Sequence, residues 1–568
     1  MGISVYRQSY NNKNNHTKRA VDDEELRVLR SEQLTKPGPL MKNTITKTVK
    51  QDRFSPKKTL LTVAVATAVS SMALPAYSLT FEPTSEITVD LDTTLSYTAG
   101  WRMSDVDYST KADGSYRIAT AGNQNFEKGS MVNNKAAILS EMDIRYKNYG
   151  AFFRGSAFYD AAYFGQNDHD NTAVYHDRTK FGYNEFTDTT QEIHGKDVRL
   201  LDAFVYGNFE LGERNLNLRV GQQVVQWGES LLYPGVSLAM SPADGGKSAI
   251  PGTEVKEIWL PIGQVFGQLD LTDNLNVSAY YQYEWKKTEA SEYGSLFSEA
   301  DLLDEAGTMV LQDGAHFGSY NIFRGKDVEA KDSGQYGLAL NYYAENVGYG
   351  TEFGLYYLNY HEKTPAKIII DQAPGADGNG SYHVEYFENI KLIGASFGTL
   401  VGDTNIGGEI SYQKGKTIGS NSEADTGIRA NTIQAQLSAI HSFGVSRLAD
   451  DVLMIAEIGY NKVTNKKREE LADGKRLTGA GIQAKFDFKY NNVLPATNVV
   501  IPISYEHALR NHGAAGVFDG GDSGSIGIKA TYQDQWTGAL TYNAYFGNAE
   551  ENKFADRDNV SMKLEYTF

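Results

Sequence analysis

The sequence predicts an all-β protein: a transmembrane antiparallel β-barrel of about 18 strands, within a range of about 16 to 20, with one loop folded into the lumen. Three observations predict it. The single long apolar run lies near the N-terminus; segments of about ten residues alternate apolar and polar side chains; and the last such segment ends on Phe568.

The apolar run covers residues 60–76 (LLTVAVATAVSSMALPA), follows Lys57 and Lys58, and gives way to small residues at Ala76 and Ser78. Basic start, short apolar middle and small residues at the end are the order of a secretory signal. A membrane-spanning helix needs about 20 apolar residues, more than this run supplies. Cleavage is placed after Ser78, with Ala76 as the alternative. Residues 1–40 carry no periodic pattern, and Met41 opens a basic start of its own (MKNTITKTVK). Residues 1–40 are therefore read as a mis-assigned or disordered extension, 41–78 as the signal peptide and 79–568 as the barrel.

Composition narrows the function classes. The chain has 54 Lys and Arg against 71 Asp and Glu; residues 1–78 hold 13 and 6 of these, which leaves 41 against 65 and a net charge of -24. That balance excludes nucleic acid as a partner, since phosphate binding needs clustered cations. With no cysteine, neither a lipid-anchored lipoprotein nor a disulfide scaffold is possible. An exported chain of this kind satisfies its backbone in lipid by closing a barrel.

The first strand puts Ile87, Val89, Leu91, Leu95 and Tyr97 on one face and Thr88, Asp90, Asp92, Thr94 and Ser96 on the other. Another sets Leu275, Val277, Ala279, Tyr281, Tyr283 and Trp285 against Asn276, Ser278, Tyr280, Gln282, Glu284 and Lys286, with an aromatic end that suits a membrane interface. Short connections near residues 147–150, 212–215, 272–274, 344–350, 401–405, 444–451, 490–497 and 533–536 alternate with nine longer polar stretches. Eight turns and nine loops join 18 strands, and an even count leaves both termini in the periplasm. At the end, Val560, Met562, Leu564, Tyr566 and Phe568 share a face. This resembles the C-terminal signal read by the barrel-assembly machinery of the outer membrane of Gram-negative bacteria. Outer-membrane lipid and lipopolysaccharide are the expected surroundings.

Barrels of this size leave an aqueous channel unless something folds inward. Lumen-facing charges are expected at Glu141, Asp143, Arg145, Lys147, Arg154, Arg219, Glu284, Lys485, Asp487 and Lys489. They carry both signs, so cross-strand ion pairing is favoured over a selectivity field.

Residues 219–261 (RVGQQVVQWGESLLYPGVSLAMSPADGGKSAIPGTEVKEIWLP) run from a strand into a loop rich in apolar side chains. Leu231, Leu232, Val236, Leu238, Met240, Ile250, Val255, Ile258 and Trp259 would be poorly solvated at a cell surface, so the loop is expected inside the barrel, lining a constriction; a cap beneath neighbouring loops is the alternative. The stretch resembles a large family of Gram-negative outer-membrane proteins, domain-of-unknown-function family 1302. The match is close at Trp227-Gly228-Glu229-Ser230 and in PGTEVKE, where Pro251, Gly252, Glu254, Lys256 and Glu257 fall; it is looser at Gln222 and at residues 241–244. The resemblance runs over residues 79–568 and implies a barrel in the outer membrane, with family members often associated with hydrophobic compounds.

Catalytic and metal chemistry find no support. DGGKS (residues 244–248) lacks the phosphate-loop glycine, since Ser241 holds its place. His441 lies on the lipid face of the twelfth strand with no Ser and acid assignable to it. Acidic clusters around His169 and at Asp519 and Asp522 complete no calcium loop. A short helix is expected over residues 298–307. No enzyme activity, cofactor or metal is therefore expected. The reading is a channel for lipophilic or amphipathic small molecules; the alternatives are a general polar-solute porin and a non-transporting surface barrel, either adhesin or hydrolase.

Overall fold

In a computed structural model of the chain, strands follow one another in sequence order and close on themselves. The structure describes residues 79–108, 120–169, 184–248, 253, 255–298, 308–312, 319–372, 379–420, 426–518 and 520–568. The barrel strands are β1 Ile87–Arg102, β2 Met131–Tyr146, β3 Tyr149–Asp160, β4 Lys196–Leu211, β5 Arg214–Gln223 and β6 Ile262–Thr272. Next come β7 Leu275–Gln282, β8 Gln335–Ala344, β9 Thr351–Tyr360, β10 Ile390–Val401, β11 Thr404–Gly419 and β12 Gly427–Ser442. The wall ends with β13 Asp451–Val463, β14 Thr478–Leu494, β15 Thr497–Arg510, β16 Ser523–Tyr532, β17 Trp536–Tyr545 and β18 Asn559–Thr567. Every neighbouring pair is antiparallel, and β1 pairs with both β2 and β18, which closes the ring.

Alternation along the strands sorts side chains as a membrane barrel requires. Val205, Leu338, Leu355, Ile393, Ile410, Leu437 and Ile458 are exposed on the outside, where lipid replaces water. Gln434, Gln436, Ser438, Glu409 and Glu457, of opposite parity, are buried on the inside. All eight expected short connections are turns between strands. At the last, Gln533 and Asp534 both take left-handed φ values of 54° and 56°, as a tight hairpin turn needs.

Three features depart from the sequence reading. The sheet holds a nineteenth strand, Leu79–Thr84, which pairs with the start of β1 from Leu79↔Leu91 to Thr84↔Ile87. β18 reaches only Thr94↔Thr567, with Phe568 and Thr93 exchanging hydrogen bonds of 2.9 and 2.8 Å, so the extra strand continues the seam below it. Pro83 is tolerated there because the strand is an edge. Second, the β7–β8 and β9–β10 loops build a separate four-stranded sheet from Lys367–Gln372, Asn379–Glu385, Ser319–Arg324 and Thr308–Gln312. Third, β7 stops at Gln282, so Trp285 leaves the expected lipid face. It is buried with Ile368, Tyr382, Val384 and Tyr386, and its Nε1 donates to Glu362 O at 3.2 Å. Tyr281 and Tyr283 do face outward.

At the loop end, two buried arginines gather chain segments. Arg102 donates to Asn123 O, at 2.5 Å, to Phe126 O and to the Asp556 carboxylate, both at 2.7 Å. Arg557 donates to Leu296 O, to Ser298 O at 2.9 Å and to Thr120 Oγ1 at 2.9 Å. The β7–β8 loop is thereby fastened to the β17–β18 and β1–β2 loops. The helix expected over 298–307 lies outside the described residues apart from Ser298, as does the signal-peptide segment.

Candidate site: a belt of chain inside the barrel

After β5, the described residues between 224 and 261 enter the lumen and follow the inner wall in two directions. The first lobe begins at Trp227, whose ring lies 5.1 Å from Tyr280 on β7 and stacks 6.2 Å from Tyr356 on β9. The chain next meets Glu409 of β11, whose carboxylate accepts Glu229 N–H at 3.1 Å and Val236 N–H at 2.6 Å. Further round, Glu457 of β13 accepts the N–H groups of Leu231 (3.0 Å), Leu232 and Tyr233 (3.1 Å). Gln434 and Gln436 of β12 donate to Pro234 O at 2.6 Å and Tyr233 O at 2.8 Å. The lobe then returns, and Gln282 of β7 donates to Met240 O at 2.7 Å.

Local sequence explains the path. Gly228 sits at φ +107°, and a Cβ there would collide with the Glu409 carboxylate; Gly235 faces the same carboxylate. The Trp227-Gly228-Glu229-Ser230 motif thus turns where only glycine fits. On the wall, Gly394, Gly398 and Gly407 leave room for Val236 and Glu229. A shared core of Val225, Val236, Ala239, Met240, Phe266, Tyr280, Tyr356 and Leu358, with Trp227 against it, holds the lobe down. Each fully buried side chain of this size contributes about 1.5–3 kcal/mol.

The second lobe turns the other way. Ala243 bridges to Trp259 and Asp244 to Glu289. Lys256 reaches Glu141 of β2 at 2.7 Å, and Lys247 lies 3.5 Å from Asp244 and 6.0 Å from the Phe158 ring of β3. His194, at the foot of the β3–β4 loop, accepts Glu292 N–H at 2.8 Å, and burial pushes its pKa down to about 4. Lys363, in the β9–β10 loop, donates to Ala239 O at 2.8 Å, and burial lowers its pKa to about 8.

The structure places the expected residues as follows. Val236 and Met240 do not line the lumen: both are 0% exposed and pack outward on the wall. That corrects the expectation for Met240, which joins the apolar cluster of Phe266, Tyr280, Tyr356 and Leu358 on the inner face of the wall. Leu231 is 45% exposed inside the barrel, and Leu232, Leu238, Ile258 and Trp259 are partly exposed. Ser230 lies against Gly235. Glu229 sits against Gly398, and burial, followed by the nearby Glu352, raises its pKa. Glu257 lies by Lys135 and Lys247. Ile250, Pro251, Gly252 and Glu254 are outside the described residues.

The expected lumen charges are nearly all paired. Arg154 bridges Glu141 at 2.8 Å and Asp202 at 2.7 Å. Arg145 meets Asp143 at 3.0 Å and also Asp90. Lys485 lies 3.3 Å from Asp487, Lys489 3.1 Å from Asp451, and Glu284 3.3 Å from Lys286. Arg219 instead lies over the rings of Phe266 (4.3 Å) and Phe204 (5.9 Å). Lys147 is in the β2–β3 turn, paired with Glu86 at 3.1 Å, so it is a periplasmic rather than a lumenal charge. Of the C-terminal face, Met562 and Leu564 are exposed to lipid, while Tyr566 is 2% exposed, stacked on Phe568 and tilted against Trp536. Sequence reasoning missed Glu409, Glu457, Gln434 and Gln436; their inward parity was readable, but the loop they bind was not.

Among the described residues no group of three or more His, Asp or Glu side chains could hold a metal. Asp522 binds His507 at 2.7 Å, and His169 binds Gln124 at 2.9 Å. His441 bonds Thr404 Oγ1 at 2.8 Å.

The chain is similar to several solved structures. The porin OmpF of Salmonella typhi, solved with daunomycin, is 10% identical, with 86% of this chain and 100% of that one covered and a TM-score of 0.35. The outer membrane channel DcaP of Acinetobacter baumannii is 10% identical, with 86% and 99% covered and a TM-score of 0.36. OccK2 of Pseudomonas aeruginosa, solved with glucuronate, is 12% identical, with 84% and 98% covered and a TM-score of 0.36. No curated protein matches the chain. Even-stranded closed antiparallel barrels with an apolar outer band, short turns at one end and longer loops at the other are the outer-membrane type of Gram-negative bacteria, and this chain is one. It belongs to the family described as "Protein of unknown function (DUF1302)", which matches residues 59–568.

Proposed function

We propose that this family member is an outer-membrane channel for amphipathic small molecules with a lipophilic part, and that the belt of residues 224–261 sets its selectivity. The observation that carries the reading is the lining of the belt. Leu231 is 45% exposed inside the barrel, with Leu238, Ile258 and Trp259 partly exposed on the same loop. On the second lobe, next in sequence to Ile258 and Trp259, Lys256 is ion-paired with Glu141, which also holds Arg154. A belt that exposes apolar side chains within a wall of paired charges suits a molecule that has both characters, since each part is solvated without leaving buried polar groups unpaired.

Single-channel recording in a planar bilayer tests it. Decanoate, a medium-chain fatty acid, should interrupt the ion current through the wild-type protein, whereas arabinose should not. Leu231→Asp should weaken the decanoate block about tenfold, equivalent to about 1.4 kcal/mol. Current that decanoate leaves untouched, in a channel that passes arabinose freely, would instead indicate a general polar-solute porin.

A further inference from the structure

Lys391 and Lys414 stand directly opposite each other on β10 and β11 as Cα partners. Both point outward, since they share parity with the lipid-facing Ile393 (59% exposed), Ile410 and Tyr412. Opposed side chains on one face have Cβ atoms about 5 Å apart, and like charges so placed repel. Both lysines are exposed, and among the described residues neither has a hydrogen-bond or ion-pair partner.

Two more cations extend the pair. Lys462 lies two residues beyond the outward-facing Tyr460 on β13, and Arg510 stands opposite Ala480, on the face of Ile482. Both are exposed and likewise without a partner among the described residues. The nearby Arg429 is engaged, its guanidinium lying 4.3 Å from the Phe387 ring. All four cations lie on the loop side of the last lipid-facing apolar residues of their strands or beside them, at the outer rim of the membrane band. A chain with a net charge of -17 gathers them where its own carboxylates do not neutralise them.

We infer that the outward face of β10–β15 binds the phosphate groups of lipopolysaccharide in the outer leaflet. A phosphate between Lys391 and Lys414 converts a repulsive cross-strand pair into two charge-assisted contacts. Because the patch begins where the apolar band ends, its ligand is itself anchored in the membrane. The loop end of the barrel fixes the leaflet as the outer one.

The test uses the full barrel purified in detergent, with folding checked by heat-modifiable migration. Deep-rough lipopolysaccharide should raise the unfolding temperature of the wild-type protein, as any ligand of the folded state does. The same lipid stripped of its phosphates, or phosphatidylglycerol, should raise it much less. Lys391→Gln/Lys414→Gln should lose most of the rise, and Lys391→Arg/Lys414→Arg should keep it. No rise in the wild-type protein, an equal rise with the dephosphorylated lipid, or an undiminished rise in the glutamine variant would each overturn the inference. If the glutamine variant does not fold, Lys462→Gln/Arg510→Gln provides the same reading.

Discussion

The Glu457 carboxylate accepts three consecutive backbone N–H groups, those of Leu231, Leu232 and Tyr233, and also the Gln436 amide at 3.1 Å. Hydrogen bonds to a charged acceptor contribute about 1.5–3 kcal/mol each, and a buried donor left without one costs about 1–3 kcal/mol. Glu457→Ala strands three donors at once, so the first lobe should come away from β13. We expect the open-channel current to become larger and noisier, with Glu457→Gln intermediate because its amide oxygen still accepts. Unchanged current in the alanine variant would mean that the apolar core of Val236 and Met240 suffices to hold the lobe. Alternating polarity in IGGEISYQ and TIQAQLSAI is a local signal that Glu409 and Gln436 point inward, and the sequence reading did not use it. Nothing local marked them as receptors for a segment some 170 to 230 positions away, because such pairing exists only once the barrel has closed.

Strands and turns were legible for a physical reason: period-two alternation and turn residues are local properties. The loops were harder. KIIIDQ and SYHVEY carry the same β-branched and aromatic alternation as barrel strands, yet Lys367–Gln372 and Asn379–Glu385 form a sheet above the wall. The N-terminal strand Leu79–Thr84, with Pro83 inside it, lacks a pattern strong enough to announce itself. The belt was readable as an element because its apolar residues had no place on a surface, although Met240 and Val236 turned to the wall and Leu231 did not. Arg557 links the β7–β8 loop to the β17–β18 loop through the carbonyls of Leu296 and Ser298. Breaking such a buried network is among the few single changes that cost several kcal/mol. Arg557→Ala should therefore leave the wall intact, as judged by heat-modifiable migration, while limited proteolysis cuts the β7–β8 loop many times faster. Equal cutting rates would show that Phe297, packed on Tyr545 and Phe554, anchors that loop unaided.

At the scale of the whole molecule, the proposed reading makes the wall a pore and the belt its constriction. Paired charges such as Arg154 with Glu141 and Asp202 stiffen the wall without giving it a single-sign field, consistent with the mixed signs in the sequence. On that reading selectivity falls to the belt, whose described residues touch the inner wall from β2 and β3 on one side to β13 on the other. The most direct test is the single-channel conductance of a variant lacking residues 231–240, with the flanking Gly228 and Pro242 kept. If the belt is the constriction, its conductance rises several-fold above wild type in the same salt; a conductance equal to that of the wild-type protein would contradict the account.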